Sequence, residues 1–387
     1  MTKPKNDLKK LNWKQNLLIV SLIFNLVLVA AGFYVLSNKN TSLLDNVGFL
    51  QAKNEIQVII KRDGITAFPD QEKINKSQLK GIVASLEDPF SEYFVASEFD
   101  NFNDNLNQRY QGIGVRFDQK DNQIVVSRVF DNSPAKDNGV LSGDILIAVE
   151  GQEITGQNIN QVVTRIRGEE NTEVKLSFKR GETKIDKTIT RKKIQSDLIY
   201  LDFKEKTAII EITSFGENLD SKMQKIVSQI KAKGTEVNSI ILDLRGNTGG
   251  ILDQSVEVMS YFVEANSTAL IEKDKDSEVI LRTKFKQDNL MNYKTVVLMN
   301  GNTASASEIV AGSLRDNTGA KLIGTKSFGK GVVQRLYNLR NGDQLKLTIA
   351  EWFTPKGTAI NKVGLIPDIT MEDDTNSLDR ALLELKK

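Results

Sequence analysis

The spacing of apolar positions divides the chain into stretches of different character. Residues 38 to 108 are polar with apolar positions at helical spacing, as between Leu79 and Leu86 in QLKGIVASLEDPFSEYF, before Pro89 ends the pattern. This stretch is predicted to form an N-terminal helical region whose helices pack as a small bundle.

Residues 109 to 193 alternate between short strand patterns and glycine-containing turns. The pattern predicts a small β-rich domain with one amphipathic helix. Its landmarks, in order, are QGIGVRF, IVVSRVF, SPAKDNGVLSGDILIAVEG and the helix NINQVVTRIRG.

Residues 195 to 387 alternate between buried strand patterns and helix patterns. This alternation predicts a layered α/β domain with crossover connections, closed by a C-terminal helix. The strand patterns are TAIIEI, SIILDL, TVVLMN and AKLIG, and the helix patterns are LDSKMQKIVSQIKAKG, ILDQSVEVMSYFV, a run that begins near Ser305, and NSLDRALLELKK.

An apolar segment precedes all three regions. Residues 17 to 36 match the ~20 residues that a helix needs to cross a bilayer. Residues 1 to 16 contain five lysines and one acidic residue, Asp7. By the positive-inside rule, this excess of positive charge predicts that the N-terminus stays in the cytoplasm. We therefore expect a single-pass transmembrane anchor with the rest of the chain outside the cytoplasm. The alternative is a cleaved signal peptide, whose apolar core is shorter, at about 7 to 15 residues.

Composition narrows the chemistry more than the fold. The 52 basic and 50 acidic residues give a net charge of +2, so no nucleic-acid partner is expected. The chain has no cysteine and no histidine, which excludes disulfides, thiolate metal sites, a cysteine nucleophile and a Ser-His-Asp triad. We expect no metal and no cofactor.

Two turns of the α/β domain each follow a buried strand pattern. In DLRGNTGG, residues 243 to 250, glycines allow backbone amides to converge; in GNTASASE, residues 301 to 308, the first amides of a helix carry partial positive charge. Together the two turns are candidates for an oxyanion hole. Ser305 is a candidate nucleophile, but Ser305 and Glu308 also match a capping box.

A serine nucleophile in this chain needs lysine or a carboxylate as its base, because no histidine is present. A lysine must be desolvated to be neutral near pH 7, since its usual pKa is about 10.4. Lys330 in SFGKGVVQRL lies between two glycines and close to apolar residues, and Gln334 is placed to orient its amine. The alternative for Lys330 is a surface lysine in a turn.

The landmarks of residues 109 to 193 resemble a PDZ domain of the bacterial protease type. In such a domain the backbone of Gly112, Ile113, Gly114 and Val115 would bind the terminal carboxylate of a peptide, and the peptide would add to a strand edge by β-augmentation. The GIGV sequence alone is a weak signal, and the SPAxxxG and GDxIxxVxG patterns that follow make it strong.

Larger motifs resemble the C-terminal processing peptidases, serine proteases with a Ser-Lys dyad on a crotonase-like α/β core. The similarity spans roughly residues 50 to 385 and is carried by VLMNGNTASASEIVAGSLRDN, GTKSFGKGVVQ, DLRGNTGG and GIVASLEDPFSEYF. It implies that Ser305 is the nucleophile, Lys330 the base and Gln334 the third catalytic residue. The oxyanion hole would then be formed by the amide of Ala306 with that of Gly249 or Gly250.

Two departures from the family pattern stand out. Glu87 precedes Asp88 where the family often has a shorter LDP sequence, at a position expected to lie away from the chemistry. Asn171 stands where the family often has the glycine of RGxxGT, and asparagine tolerates the left-handed backbone that glycine permits. The turn after the PDZ helix is therefore expected to persist.

The sequence thus predicts a membrane-anchored serine endopeptidase on the outer side of a bacterial cell membrane. Its expected partners are protein or peptide substrates with unstructured, apolar C-termini, and the sequence leaves open a homo-oligomer or a regulatory partner. One alternative is a PDZ adaptor or holdase that no longer cleaves. Another is a crotonase-like acyl-CoA enzyme, which leaves the PDZ domain unexplained.

Overall fold

The computed structural model describes residues 42–120, 123–374 and 376–387. The predicted anchor at residues 17 to 36 lies outside these ranges. None of the helices within the described ranges is both long enough and apolar enough to cross a membrane.

The N-terminal helices are divided between two compact units. The first unit ends at Gln78 and contains α1 (Ser42–Asp63) and the beginning of α2 (Gln71–Ala84). Inside this unit, Lys53 Nζ donates a hydrogen bond to Gln78 Oε1 at 3.3 Å and links the two helices. The second unit runs from Leu79 to Lys387 and contains the remaining elements.

The predicted helical region of residues 38 to 108 contains a strand that the sequence pattern did not indicate. This strand, β1 (Glu92–Phe94), pairs antiparallel with β18 (Gln344–Phe353), and α3 (Ala96–Leu106) follows it. Tyr93 is only 4% exposed in β1, since aromatic residues pack well on a half-buried sheet. This part of the region therefore joins a sheet of the second unit and is not part of a separate helical bundle.

The β-rich domain has the antiparallel sheet and the single long helix that the sequence predicts. Its elements are β3 (Val115–Lys120), β4 (Gln123–Val129), α4 (Pro134–Asp137), β5 (Ile145–Val149), β6 (Gln152–Glu153), α5 (Ile159–Ile166), β7 (Glu173–Arg180) and β8 (Thr183–Thr190). The strand order is β3-β4-β5-β7-β8, with β6 paired to β5. Helix α5 buries Val162 and Ile166 in the core of this domain.

The β-rich domain is inserted into the second unit through two adjacent strands. The entering strand β2 (Arg109–Gly112) pairs antiparallel with the leaving strand β9 (Lys192–Gln195). Near this junction Asn171 has a φ of 66°, so the left-handed turn expected after the helix is present. The domain is thus attached by two chain segments that lie side by side.

The α/β domain is built on a mostly parallel sheet, as the alternation of patterns predicts. Its elements are β10 (Ile199–Lys204), β11 (Thr207–Ile212), α6 (Leu219–Ala232), a 3-10 turn (Gly234–Glu236), β12 (Ser239–Asp243), α7 (Leu252–Met259), β15 (Lys294–Met299), α8 (Ala306–Thr318), β16 (Lys321–Gly324), β19 (Ile369–Thr370) and α9 (Ser377–Leu385). The strand order is β10-β11-β12-β15-β16-β19, in which β10 is antiparallel and the others are parallel. Helices α6, α7 and α8 cover one face and α9 covers the other.

A second sheet borders the α/β domain. Its strands are β1 and β18 together with β13 (Thr268–Lys273), β14 (Glu278–Arg282) and β17 (Val332–Asn338). The order is β1-β18-β13-β14, and β17 pairs with β18. The pairing of β17 with β18 shifts register between Val333 and Gln334, which marks a bulge beside the predicted catalytic glutamine.

Candidate active site

The predicted catalytic residues lie on three loops that follow neighbouring parallel strands. The turn with Gly249 and Gly250 follows β12, Ser305 follows β15, and Lys330 follows β16. Strand β12 pairs with β15, and β15 pairs with β16. Because the carboxyl ends of adjacent parallel strands meet at one edge of a sheet, the fold brings these loops together.

Ser305 has an unusual backbone conformation at the start of α8. Its φ of 56° and ψ of −119° lie in a region that residues other than glycine rarely adopt. Glu308 Oε2 accepts the Ser305 amide at 2.9 Å, as in a capping box, but the Ser305 side chain makes no cap hydrogen bond. Ser305 is partly exposed, and no hydrogen bond joins its hydroxyl to another of the described residues.

A buried carboxylate connects the serine segment to the lysine loop. Glu308 is fully buried and accepts four hydrogen bonds from these two segments. Its Oε2 accepts the amides of Ser305 and Lys330, each at 2.9 Å, and its Oε1 accepts the Gly329 amide at 2.7 Å and the Ser327 hydroxyl. One side chain thus fixes the backbone of Ser305 relative to that of Lys330.

The glycines beside Lys330 permit close packing of its loop. A Cβ at Gly331 would lie 2.2 Å from the Asn361 amide nitrogen, and one at Gly329 would lie 2.8 Å from the Gly364 nitrogen. The Lys330 carbonyl accepts a hydrogen bond from Trp352 Nε1 at 3.1 Å. Any side chain at either glycine would push the loop away from its support.

The amine of Lys330 lies in a partly buried, aromatic environment. Its Nζ is 5.0 Å from the centroid of the Phe90 ring, and no carboxylate of the described residues forms an ion pair with it. Burial lowers the pKa of Lys330 most strongly and the charge of Lys346 lowers it further, while Asp88 and Glu308 act in the opposite direction. General base catalysis requires the neutral amine, and a lowered pKa increases the fraction of the amine that is neutral.

Gln334 lies on β17, directly opposite Thr348 on β18. Its Nε2 is buried and has no hydrogen-bond partner among the described residues. Among the residues that the structure describes, no hydrogen bond joins the side chains of Ser305, Lys330 and Gln334 to one another. The structure therefore brings the three residues to one region without forming the hydrogen bonds of a catalytic dyad.

The two candidate oxyanion glycines have different surroundings. A Cβ at Gly249 would lie 2.8 Å from the Ser305 Cβ and 3.1 Å from the Ala306 nitrogen, whereas one at Gly250 would lie 2.5 Å from the Phe215 carbonyl oxygen. The Gly249 amide donates to Asn247 Oδ1 at 2.9 Å.

The candidate oxyanion amides also differ in whether they already have a partner. Those of Gly250 and Ala306 donate to no group in residues 42–120, 123–374 and 376–387. Gly249 thus lies against Ser305, while the amides of Gly250 and Ala306 have no acceptor among the described residues.

The four predicted peptide-binding residues, Gly112 to Val115, line a groove of the β-rich domain. The groove contains a cavity of about 40 Å³ that is also bordered by Phe117, Val163 and Ile166. The amides of Ile113 and Gly114 donate to no other group of the described residues. Gly114 has a φ of 79°, and a Cβ there would lie 2.3 Å from the Ser133 Cβ, so only glycine fits this turn.

Several residues at the site have a weak signal in the sequence or lie elsewhere than it predicts. The sequence marks Glu308 only as the end of a capping box and gives no indication of Phe90. Glu87 was expected to lie away from the chemistry, but the turn that it begins carries Asp88 and Phe90 to Lys330. The signal for Glu308 in the sequence is a charged residue at the start of the otherwise apolar EIVAG stretch, where a buried position is expected.

Comparison with known proteins agrees with this architecture. Residues 206–371 match the family described as "Peptidase family S41", and residues 111–190 match the "PDZ domain" family. A "Probable CtpA-like serine protease" of Staphylococcus aureus strain MSSA476 is 31% identical over 374 residues, which cover 95% of this chain and 75% of the relative. A protein of the same name from the bovine strain RF122 / ET3-1 is 32% identical over 364 residues, covering 93% and 73%.

A solved structure matches over most of the chain. The photosystem II D1 C-terminal processing protease superposes with a TM-score of 0.53 at 23% identity, covering 80% of this chain and 86% of that protein. This likeness supports the fold. Together with the sequence relatives, it means that the chain belongs to peptidase family S41 and is a serine protease with a PDZ domain. The predicted family, the α/β core and the PDZ domain are thereby confirmed.

Proposed function

We propose that the protein is an endopeptidase in which Ser305 is the nucleophile and Lys330 the general base. The observation that carries this proposal is the Glu308 carboxylate, which accepts the amides of both residues. The lowered pKa of Lys330, which has burial as its main cause, supports its role as a base. Gln334, whose buried Nε2 has no partner in the described chain, would orient the lysine amine.

The proposed reaction proceeds in two stages. Ser305 Oγ bonds to the substrate carbonyl carbon and its proton passes to Lys330 Nζ. Collapse of the tetrahedral intermediate breaks the C–N bond, and the proton on Lys330 passes to the leaving nitrogen. Water then attacks the acyl carbon and gives a proton to Lys330. Collapse of this second tetrahedral intermediate breaks the bond between the acyl carbon and Ser305 Oγ, Lys330 returns the proton to Oγ, and the product leaves with a new carboxyl group. Hydrogen bonds at catalytic sites commonly tighten only when substrate binds, so the dyad would form in the complex.

The negative charge that develops on the carbonyl oxygen would be stabilised by backbone amides. The amides of Ala306 and Gly250 are the candidates, since neither has another acceptor in the described residues and the Gly249 amide is bonded to Asn247. Gly249 would contribute by allowing the turn to approach Ser305.

The PDZ domain would capture the C-terminus of a substrate. The free amides of Ile113 and Gly114 suit a terminal carboxylate. The neighbouring cavity of about 40 Å³ is lined by apolar residues such as Val163 and has room for a small side chain only. We therefore expect tighter binding of unfolded substrates that end in alanine or valine than of those that end in phenylalanine or tryptophan.

The membrane anchor at residues 17 to 36 and the extracytoplasmic location are also part of the proposal. They rest on the apolar segment and the lysines before it. Recovery of the full chain in the membrane fraction, and of a variant lacking residues 17 to 36 in the soluble fraction, would support the anchor. Recovery of both in the soluble fraction would refute it.

The test of the proposed activity is degradation of an unfolded polypeptide that ends in valine by the purified full-length protein. Wild type should cleave it, and Ser305→Ala and Lys330→Ala should not. Both variants should still bind a peptide with the same C-terminus, because the PDZ groove is unchanged. Retained cleavage by Ser305→Ala would refute the nucleophile. Binding without cleavage by wild type would favour the alternative of a PDZ adaptor.

A further inference from the structure

Three residues with hydroxyl side chains lie close together in residues 301 to 308, the serine segment, namely Thr303, Ser305 and Ser307. Ser305 is partly exposed, whereas Thr303 and Ser307 are fully buried. Buried hydroxyls need hydrogen-bond partners, because a polar group left unpaired in the interior is unfavourable. The partners of the two flanking hydroxyls therefore indicate what these side chains do in the fold.

Both flanking hydroxyls donate to backbone carbonyls of one other segment, residues 243 to 250, which is called the glycine turn below. Thr303 Oγ1 donates to the Leu244 carbonyl at 2.9 Å. Ser307 Oγ donates to the Asn247 carbonyl at 3.0 Å. The acceptors lie 59 and 60 residues before their donors in the sequence. Two side-chain hydrogen bonds, one on each side of the proposed nucleophile, thus join the serine segment to the glycine turn.

The acceptor of Ser307 is not the usual one for a hydroxyl in a helix. Serine and threonine hydroxyls in helices commonly donate to the carbonyl four residues earlier. Thr318, at the other end of α8, does so with the Leu314 carbonyl at 2.7 Å. The carbonyl four residues before Ser307, that of Thr303, instead accepts the Phe328 amide at 3.0 Å. The hydroxyl of Ser307 therefore bonds to another segment and not to its own helix.

The two candidate oxyanion amides belong to the two segments that these bonds join. The Ala306 amide lies in the serine segment and the Gly250 amide in the glycine turn. The Gly249 carbonyl accepts the Phe215 amide at 3.0 Å. Because the N–H of a trans peptide unit points opposite to its C=O, the Gly250 amide points away from Phe215. An oxyanion hole needs both donors within about 2.7–3.1 Å of one oxygen, so the spacing of the two segments matters for catalysis.

The glycine turn depends on its neighbours for a fixed conformation. Gly249 and Gly250 have φ values of 105° and 148°, in a region that glycine enters easily but that nothing in its own side chain maintains. The buried Asn247 fixes the middle of the turn, since its Nδ2 donates to the Ile212 carbonyl at 2.8 Å and its Oδ1 accepts the Gly249 amide at 2.9 Å. Its carbonyl also accepts the Ala304 amide at 3.0 Å. Asn247 is thus the point at which the serine segment attaches to the turn.

We propose that Thr303 and Ser307 are positioning residues of the oxyanion hole. Their hydroxyls hold the glycine turn against the serine segment, so that the amides of Gly250 and Ala306 reach the same carbonyl oxygen of the substrate. The hydroxyl between them, that of Ser305, has no hydrogen bond to another described residue and is left for the substrate. The inference rests on the proposed function, and it assigns the two flanking hydroxyls a role in kcat and not in substrate binding.

The test measures kcat and KM of the full-length protein with the unfolded polypeptide that ends in valine. Ser307→Ala and Thr303→Val each remove one hydroxyl, and Thr303→Ser keeps the hydroxyl at its position. Thr303 Oγ1 also accepts the Asn300 amide at 2.9 Å, so Thr303→Val should be less stable than Thr303→Ser. Ser313→Ala is the matched control, because Ser313 is fully buried in the same helix and its Oγ accepts a hydrogen bond from Asn317 Nδ2 at 3.0 Å.

The two alanine variants should have similar thermal stability. After Ser307→Ala, the Asn247 carbonyl keeps the Ala304 amide as its donor. After Ser313→Ala, Asn317 Nδ2 keeps the Thr268 carbonyl as its acceptor at 3.0 Å. Each variant thus loses one hydrogen bond of a buried serine without leaving the partner group unpaired. A difference in activity between them then reports on the oxyanion hole and not on stability.

Ser307→Ala should lower kcat by about 10- to 100-fold with KM within about 2-fold of wild type, because a displaced oxyanion donor affects only the transition state. Thr303→Val should have a similar effect, and Thr303→Ser should recover most of the lost activity. Ser313→Ala should match wild type. The rise of kcat/KM with pH should stay at the wild-type position in all variants, because Lys330 is not changed.

A peptide aldehyde with the sequence that precedes the cleavage site gives a second readout. Ser305 Oγ bonds to the aldehyde carbon, the C=O double bond becomes a single bond to an oxygen in the oxyanion position, and the serine proton passes to Lys330. The inhibition constant of the aldehyde should rise in Ser307→Ala by about the factor by which kcat falls. That of the corresponding peptide alcohol, which forms no such adduct, should stay as in wild type.

Three results would overturn the inference while the proposed function stands. The first is a kcat of Ser307→Ala and Thr303→Val equal to that of Ser313→Ala. The second is an equal loss of activity in Thr303→Ser and Thr303→Val. The third is weaker binding of the aldehyde and the alcohol to the same degree. If thermal unfolding shows that Ser307→Ala is not folded, the comparison of the two Thr303 variants decides. Retained cleavage by Ser305→Ala, or no cleavage by wild type, would refute the proposed function and this inference with it.

Discussion

The backbone amides of Ser305 and Lys330 donate to the same atom, Oε2 of Glu308, each at 2.9 Å. The two residues follow different strands of the parallel sheet, and a shared acceptor fixes their backbones relative to each other. All four hydrogen bonds are accepted by the two carboxyl oxygens, and an amide in their place would present a donor to at least one of these donors. Glu308 is thus a positioning residue for the proposed dyad.

Glu308→Gln should lower kcat by roughly 100-fold with a much smaller change in KM, since a displacement of about 1 Å between reacting groups costs this much. At least one buried donor would lose its partner, which should reduce the free energy of unfolding by about 1–3 kcal/mol. Steady-state kinetics and chemical denaturation measure the two effects. Glu264→Gln, an exposed carboxylate in the same domain, is the control. Equal kinetics for the two variants would contradict a positioning role for Glu308.

Lys330 should control the pH dependence of activity. In the proposed mechanism the neutral form of Lys330 is the base, so kcat/KM should rise as pH increases through its lowered pKa. Burial and the charge of Lys346 set this pKa below the ordinary value of about 10.4. The chain has no histidine or cysteine that could produce such a rise. A profile that is flat over the alkaline range would exclude Lys330 as the base.

The same pKa shift should affect stability. The unfolded chain binds the Lys330 proton more tightly than the folded chain does, so protonation of this lysine disfavours folding. This cost is fully present below the lowered pKa and disappears as pH rises towards about 10.4. The free energy of unfolding of wild type, relative to that of Lys330→Met, should therefore increase with pH across this window. Chemical denaturation of both proteins at several pH values measures the difference.

Lys346 should tune the base without touching the substrate. Its Nζ lies 4.9 Å and 5.0 Å from the ring centroids of Phe94 and Phe102, and 3.0 Å from Glu92 Oε2. Its charge lowers the pKa of Lys330. Lys346→Met should therefore move the rise of kcat/KM to higher pH, and Lys346→Arg should leave it near the wild-type position. An unchanged profile for Lys346→Met would show that the charge of Lys346 does not reach the base.

The sequence predicts the positions of the proposed catalytic residues better than their surroundings. Ser305 and Lys330 lie in short motifs after strand patterns, and the lack of histidine leaves lysine as a natural base. The contact of Phe90 with Lys330 depends on the pairing of β1 with β18, which joins segments on either side of the PDZ domain. Such pairing between distant segments has no local pattern, because it is decided by packing of the whole sheet. The four hydrogen bonds to Glu308 are likewise not predictable from the sequence, because three of them come from the lysine loop, about 20 residues further along the chain.

Gly249 should be essential because it packs against Ser305, the proposed nucleophile. Gly249→Ala would bring a Cβ to 2.8 Å from the Ser305 Cβ at a φ of 105°, so the turn must move away from the serine. Gly319 has a φ of 73° and open space around it. Gly319→Ala should therefore reduce the free energy of unfolding only by the cost of the left-handed backbone, about 1–2 kcal/mol. Gly249→Ala should lose at least about 100-fold in kcat/KM, whereas Gly319→Ala should retain activity with lower stability. Kinetics and thermal unfolding of both variants measure these effects, and equal activity of the two would mean that the contact between Gly249 and Ser305 does not matter for catalysis.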